Sequence, residues 1–127
     1  MRIEKITTDK KRFLELLLLG DEQEDMIDRY LERGDLFALF DPDLKSLCVV
    51  TDEGKGTCEL KNLATCARSQ GQGYATRLLE HVFRHYSGKY ETILAGTGEE
   101  PRILAFYERR GFIFSHRLKN FFTDNYR

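Results

Sequence analysis

The segment RSQGQGYATRLLEHVF, residues 68–83, places two glycines directly before a stretch with the pattern of an amphipathic helix. The preceding segment TCELKNLAT, residues 57–65, is typical of a β-strand. Because apolar residues recur every three or four positions after the glycines, one helical face is predicted to be buried. That face consists of Tyr74, Ala75, Leu78, Leu79, Val82, Phe83 and Tyr86. A strand followed by a glycine loop and a helix predicts a layered fold in which helices pack on a sheet.

The glycine loop itself suggests an anion site. Gly71 and Gly73 have no side chain to block a ligand, and no acidic residue lies from Arg68 to Leu79. The first amides of a helix lack intrahelical partners, and together with the helix dipole they attract anions. The loop therefore predicts binding of a phosphate or pyrophosphate. A tight turn that requires positive φ is the alternative, and the motif alone does not decide between them.

Other small-molecule sites receive less support. The loop lacks the Gly-Lys-Ser/Thr of nucleoside-triphosphate loops, and Thr76 occupies the third glycine position of a dinucleotide fingerprint. His81 and His85 are four residues apart, but they lie on the helix face opposite the apolar stripe and lack nearby ligands. We therefore expect no metal site.

Composition excludes further classes. A net charge of −1 gives no electrostatic support for binding nucleic acid or an anionic membrane. The longest apolar run, residues 16–19 with Phe13 and Leu14 before it, is too short to span a bilayer and lacks secretory flanks. Three cysteines, at spacings that match no metal or redox motif, are typical of a reduced intracellular protein. We expect a cytoplasmic protein.

The sequence predicts helices and strands that follow one another without a linker or an internal repeat, so we expect one domain over residues 1–127. Asp9 is the expected cap of the first helix, and Gly20 and Gly111 are expected to end helices. Helices are predicted at 10–19, 21–31, 74–86 and 102–110, and strands at 2–6, 36–40, 46–51, 57–65, 90–95 and in FIFSHRL. This order predicts an α+β (mixed α/β) fold with a mostly antiparallel central sheet flanked by helices.

Three blocks of the sequence resemble the GNAT N-acetyltransferase family. QGQGYA, residues 70–75, resembles the signature Gln/Arg-x-x-Gly-x-Gly/Ala, and ELKNLAT before it resembles the family's fourth strand. AFYERRGF, residues 105–112, is similar to a Phe-Tyr-Glu-x-x-Gly-Phe block near the family's C-terminus. DEQEDMIDRYL and NFFTDNY are similar to one uncharacterised bacterial branch. The resemblance implies a GNAT-like acyltransferase fold that uses acetyl-CoA as co-substrate and no metal.

The resemblance also implies where acetyl-CoA binds. Backbone groups of Leu63, Ala64 and Thr65 would pair with the pantetheine arm where the strand splays at a bulge. An N–H near Leu63 would polarise the thioester carbonyl, because acyl transfer needs a donor aimed at the developing oxyanion. The pyrophosphate would be held by the loop and the first helical turn, namely Gln70, Gly71, Gln72, Gly73, Tyr74, Ala75 and Thr76.

Two residues are candidates for proton transfer. Tyr107, in the Phe-Tyr-Glu block, occupies the position where many relatives place the acid that protonates the CoA thiolate; packing on CoA or the core is the alternative. Glu59 lies four residues before Leu63, where several relatives carry a carboxylate, and the resemblance makes it the candidate base, directly or through water; an exposed strand glutamate is the alternative. Simple alternation would put Glu59, Lys61 and Leu63 on one face, which does not decide the role. Orientation alone could also suffice without a base.

The acceptor is less constrained. Acidic residues near the junction of the first two helices would favour a cationic amine, although acids in a first helical turn commonly complement the dipole. These are Asp21, Glu22, Glu24, Asp25 and Asp28. A polyamine, an amino sugar, a peptide N-terminus and a lysine all remain open. Arg109 or Arg110 would contact the 3′-phosphate of CoA, or both would lie on a solvated helix face. Relatives often carry an asparagine that contacts CoA before the Phe-Tyr pair, and the equivalent segment here, GTGEEPRIL, has none.

We therefore expect an N-acetyltransferase that moves the acetyl group directly to a primary amine of a small molecule or peptide. The alternative is a non-catalytic, CoA-binding regulatory module of the same fold; a nucleic-acid-binding domain is disfavoured by the charge. Similar proteins continue for about one more strand beyond NFFTDNYR, a strand being about 5–6 residues. Either the last strand is missing, leaving an open edge for a homodimer, or the chain is a truncated form.

Overall fold

The computed structural model describes residues 1–86, 88–95 and 113–115. Its strands are β1 (Arg2–Ile6), β2 (Asp35–Phe40), β3 (Leu44–Gly54), β4 (Thr57–Thr65), β5 (Thr92–Ala95) and β6 (Ile113–Ser115). Its α-helices are α1 (Leu14–Gly20), α2 (Glu24–Tyr30) and α3 (Tyr74–His85), and short 3-10 turns cover Lys10–Phe13 and Ala67–Ser69. The expected α+β fold is confirmed.

The described strands form one sheet in the order β1-β2-β3-β4-β5-β6. The strands β1 to β4 pair with one another in antiparallel fashion, whereas β5 is parallel to both β4 and β6. Within the described residues, β4 pairs with β5 as far as Leu60 and Ala95, and β4 itself continues to Thr65. The sheet is mostly antiparallel, as expected.

Helices cover both faces of the sheet. The buried stripe of α3 packs against one face, as the periodicity predicted, and α1 and α2 cover the other. Alternate strand residues supply the two cores, so that Phe37 and Cys48 face α3 while Leu36 and Val49 face the opposite side. Each fully buried leucine contributes about 1.5–3 kcal/mol to this packing. All three cysteines are free, and burial raises the pKa of Cys58 to about 12.

Two local predictions at the first helices are wrong. Asp9 does not cap a helix with its side chain, because its backbone is left-handed (φ 50°) rather than extended, and a 3-10 turn comes first. The second helix begins at Glu24 rather than at Asp21. Asp21 Oδ1 accepts a hydrogen bond from the Gln23 N–H at 3.2 Å, which holds an Asx turn in place of the first helical turn.

Lys10 caps the C-terminal end of α2 with its side chain, a role that the sequence analysis did not predict. Its ammonium is buried and donates to the carbonyl oxygens of Leu31, Glu32 and Gly34 at 3.1, 3.0 and 2.7 Å. These carbonyls follow the last helical turn, where acceptors lack partners and the helix dipole favours a cation. Lys10 thus satisfies the C-terminal end of α2 and ties it to the start of α1.

Replacing Lys10 by methionine is expected to lower the free energy of unfolding by about 2–3 kcal/mol, because charge-assisted hydrogen bonds are lost and buried carbonyls remain without a donor. Urea denaturation followed by circular dichroism measures the loss. Lys11→Met is the matched control, since Lys11 pairs with Glu24 and Asp28 only in exposed ion pairs. It should shift the midpoint far less. Equal losses in the two variants would contradict the assigned role.

Candidate active site

Among the described residues, none pairs with the half of β4 beyond Leu60 on the side away from β3, and this half is called the open edge. In an antiparallel ladder, alternate residues exchange both hydrogen bonds with the partner strand. The Cys66 N–H donates to Lys45 O at 2.8 Å, and Ala64 in the same register lies opposite Leu47 on β3. Leu63 and Thr65 therefore direct their backbone N–H and C=O groups away from β3. Each can pair with an extended ligand that lies along this edge.

A β-bulge at Lys61 marks the start of the open edge. Val49 pairs with Asn62 and Val50 pairs with Leu60, which leaves Lys61 as the extra residue on β4. The extra residue reverses the alternation of side chains along the strand. The expectation that Glu59 and Leu63 share a face is therefore wrong. Leu63 packs on the α3 side with Leu60, whereas Glu59 lies on the opposite side.

Glu59 is a buried carboxylate and not the exposed strand glutamate that was the alternative. Its exposed fraction is 1%, and its Oε1 lies 2.9 Å from Lys61 Nζ. Its Oε2 has no hydrogen-bond partner within the described ranges. Burial raises the pKa of Glu59, and the hydrogen bond from Lys61 opposes that rise. Such a group accepts a proton more readily than an ordinary glutamate does.

The glycine loop leads directly into α3. Gly71 and Gly73 have φ values of 80° and 83°, in the region where other residues are strained. A Cβ atom built on either glycine meets no atom of the described residues within 4 Å. The turn interpretation of the loop is confirmed by the positive φ values, and binding of a phosphate stays a prediction.

The start of α3 fits an anion. The helix's first i→i−4 hydrogen bond runs from the Arg77 N–H to Gly73 O at 3.1 Å, so the amides of Tyr74, Ala75 and Thr76 precede it. Within the described chain, no side chain caps this terminus, and its first turn holds no acid. Pyrophosphate oxygens would therefore meet several amides and the positive end of the dipole.

Side chains around the loop brace it. Gln70 Nε2 donates to Thr65 O at 3.2 Å, and Gln72 Nε2 donates to Arg68 O at 3.3 Å. The Tyr74 hydroxyl donates to Asp41 Oδ2 at 2.9 Å, which raises the pKa of Tyr74. These three candidate cofactor residues use their side chains to hold the loop, so their backbone groups are what a ligand would meet.

The acids at the α1–α2 junction are largely engaged by the protein. Asp21 is buried and accepts a hydrogen bond from the Tyr30 hydroxyl at 3.2 Å. Glu24 and Asp28 pair with Lys11 at 2.7 and 2.8 Å. These contacts favour the structural interpretation of the acidic cluster over a mouth for cationic acceptors.

Three further candidate residues belong to the C-terminal part of the sequence. Tyr107, Arg109 and Arg110 lie outside the described residues, as do the expected helix at 102–110 and the chain end.

In α3, the ring of His85 packs against Phe37. Across the described ranges, no group of three or more histidine, cysteine or acidic side chains could hold a metal ion. The same ranges contain no helix long and apolar enough to cross a membrane.

The sequence of the chain is similar to known acetyltransferases. Residues 38–114 match the family model described as an acetyltransferase (GNAT) domain. YvbK, an uncharacterized N-acetyltransferase of Bacillus subtilis (strain 168), is 30% identical over 129 residues, which covers 99% of this chain and 83% of that protein.

Two solved structures are also similar. A GNAT family acetyltransferase from Elizabethkingia anophelis, with acetyl-CoA bound, has a TM-score of 0.78 and 32% identity, covering 98% of this chain and 84% of that one. A Bacillus subtilis acetyltransferase in complex with CoA has a TM-score of 0.70 and 29% identity, covering 87% of this chain and 74% of that one. The sequence comparisons and the structure comparisons therefore agree that the chain is similar to GNAT acetyltransferases.

Proposed function

The chain belongs to the GNAT acetyltransferase family, and we propose that it transfers the acetyl group of acetyl-CoA directly to a primary amine of a small-molecule or peptide acceptor. One observation carries the proposal. Among the described residues, the open edge of β4 begins just after a buried carboxylate, Glu59, and leads toward a helix N-terminus that can bind anions. In acetyl-CoA the thioester and the pyrophosphate lie at opposite ends of the pantetheine arm. The carboxylate would therefore lie near the thioester and the helix N-terminus near the pyrophosphate.

Acetyl-CoA would bind along this edge in an extended form. The pantetheine amides would pair with the backbone of Leu63 and Thr65, as an added strand does at a sheet edge. The pyrophosphate would lie on the amides that follow Gly71 and Gly73. Both similar solved structures hold CoA or acetyl-CoA, which supports this assignment.

The Leu63 N–H is the proposed donor to the thioester carbonyl. It points away from β3 just beyond the bulge, where a ligand on the open edge would place its reacting end. Negative charge develops on the carbonyl oxygen when the amine attacks, so a donor held in position there lowers the barrier. No covalent intermediate with the protein is required.

Proton transfer is assigned to two residues. An alkylammonium must lose a proton before its nitrogen can attack, and Glu59 Oε2 is the proposed acceptor, directly or through one water. The new C–N bond forms as the amine adds to the carbonyl carbon, and the C–S bond then breaks to release the CoA thiolate. Tyr107, assigned from the sequence resemblance, is proposed to protonate that thiolate. The nitrogen loses its second proton as the amide forms, and this proton replaces the one that Tyr107 donates.

The test is amine-dependent release of free thiol from acetyl-CoA, with a polyamine, an amino sugar, a peptide with a free N-terminus and a lysine derivative as acceptors. The expected result is thiol release together with an acetylated product detected by mass spectrometry. Calorimetric titration with CoA is run in parallel. Binding of CoA without turnover of any amine would favour the regulatory module, and no binding at millimolar CoA would overturn both assignments.

A further inference from the structure

Asn62, which directly follows the bulge, has a buried side chain that no step described so far uses. Its exposed fraction is 3%. Its Nδ2 donates to Leu17 O at 2.9 Å and to the Tyr30 hydroxyl at 3.1 Å. A single amide thus attaches the open half of β4 to α1 and to α2.

The amide oxygen of Asn62 fits into a notch at Gly20, the last residue of α1. A Cβ atom on Gly20 would lie 2.1 Å from Asn62 Oδ1 and 3.1 Å from the Leu63 carbonyl oxygen. The first distance is far below any real contact, so a side chain at Gly20 would displace the Asn62 amide. Gly20 is therefore required by close approach of α1 to β4.

The partners of Asn62 are held in turn. The Tyr30 hydroxyl donates a hydrogen bond to Asp21 Oδ2 at 3.2 Å, and burial raises the pKa of Tyr30 above its usual value. Leu17 O also accepts the Asp21 N–H at 3.0 Å. Connected hydrogen bonds of this kind hold the participating side chains in one arrangement.

We propose that Asn62 is a positioning residue that fixes the direction of the Leu63 N–H toward the thioester carbonyl; this rests on the proposed acetyl transfer. The nitrogen of Leu63 is bonded to the carbonyl carbon of Asn62, so the anchored side chain restrains the peptide plane that carries the donor. Asn62 pairs with Val49 on β3, so its backbone is held from that side. Its side chain adds anchors on α1 and α2 directly beside the bulge, where the ladder is locally disrupted.

Replacing Asn62 by alanine is expected to lower kcat by about 10- to 100-fold, since a displacement of about 1 Å can cost about 100-fold in rate. The KM for acetyl-CoA and the Kd of CoA should stay within about 2-fold, because loop amides far along the ligand hold the pyrophosphate. Infrared spectra of bound acetyl-CoA labelled with ¹³C at the thioester carbonyl, recorded without amine, report the hydrogen bond directly. Its shift to lower frequency should shrink in the variant.

Gly20→Ala separates packing from positioning. Alone, it should displace the Asn62 amide and reproduce both the lower kcat and the weaker infrared shift. Combined with Asn62→Ala, the added methyl group fills the space that the amide left, so thermal stability should recover toward the wild-type protein while kcat stays low. Tyr30→Phe is the milder variant; it removes one partner of Asn62 and should give an intermediate kcat.

The matched control is Tyr86→Phe. Tyr86 is buried on the other face of the sheet and donates a hydrogen bond to Asp35, so its loss removes a comparable buried contact. We expect lower stability with unchanged kcat. If the wild-type protein turns over amines and the Asn62 variants keep both kcat and the carbonyl frequency, the positioning role is wrong. If the wild-type protein turns over no amine, the proposed function fails, and the infrared shift still decides whether Asn62 orients the Leu63 donor.

Discussion

Gly73→Asp is expected to weaken CoA binding by at least about 100-fold, the largest effect on affinity that the site predicts; a tenfold change corresponds to about 1.4 kcal/mol. Gly73 is left-handed (φ 83°) at the start of α3. Aspartate tolerates this conformation better than most residues. Its carboxylate would compete for the helical amides and repel the pyrophosphate. The fold should therefore persist while the anion site is lost.

Gly73→Asn is the matched control, because asparagine has nearly the same shape and tolerance of positive φ but no charge. We expect it to weaken CoA binding by less than about 10-fold. Isothermal titration calorimetry at one fixed ionic strength measures both variants, and thermal denaturation checks that both remain folded. Equal weakening by the two residues would show a steric effect and would contradict the electrostatic assignment. Unchanged binding in both would place the pyrophosphate elsewhere.

Replacement of Glu59 by glutamine is expected to lower kcat by about 100- to 1,000-fold with little change in the KM for acetyl-CoA, because a positioned base contributes about 100- to 10,000-fold. Glutamine keeps the size of the side chain and cannot accept the proton. Glu4→Gln, on edge strand β1 at the far side of the sheet, is the control and should keep full activity. Steady-state kinetics with the best acceptor measures both.

The pH profile gives an independent check on Glu59. A base works only when it is ionised, so kcat/KM should rise with pH through the pKa of this carboxyl. Burial raises that pKa above its ordinary value of 4.5, so the acid limb of the profile should lie above this value. The limb should disappear in Glu59→Gln. A variant that retains both its activity and the limb would show that orientation alone drives the reaction.

Much of the site's backbone was predictable from the sequence. The predicted strand at 57–65 and the structural strand Thr57–Thr65 coincide, and the apolar stripe of α3 is buried as its periodicity indicated. Gly71 and Gly73 adopt the positive φ that the turn interpretation of the loop required. These features depend on residues within a turn or two of each other, and such short-range preferences are present in the sequence itself.

Side-chain environments at the site were not predictable in this way. Glu59 lies on the face opposite Leu63 because a bulge at Lys61 shifts the register of β4 against β3, and register depends on both strands. Nothing near Asn62 in sequence indicates its hydrogen bonds to Leu17 and Tyr30, which are 45 and 32 residues away. The link between Tyr74 and Asp41 spans 33 residues.

The sequence by itself determined the order of elements, the glycine loop with its helix, and the family to which the chain belongs. Only the tertiary structure decided that Glu59 is buried with a raised pKa, that Lys10 closes α2, and that Asn62 anchors the open half of β4. The physical reason is the range of the interactions. Periodicity and backbone preference act between neighbours, whereas burial and hydrogen bonding depend on which distant segments the folded sheet brings together.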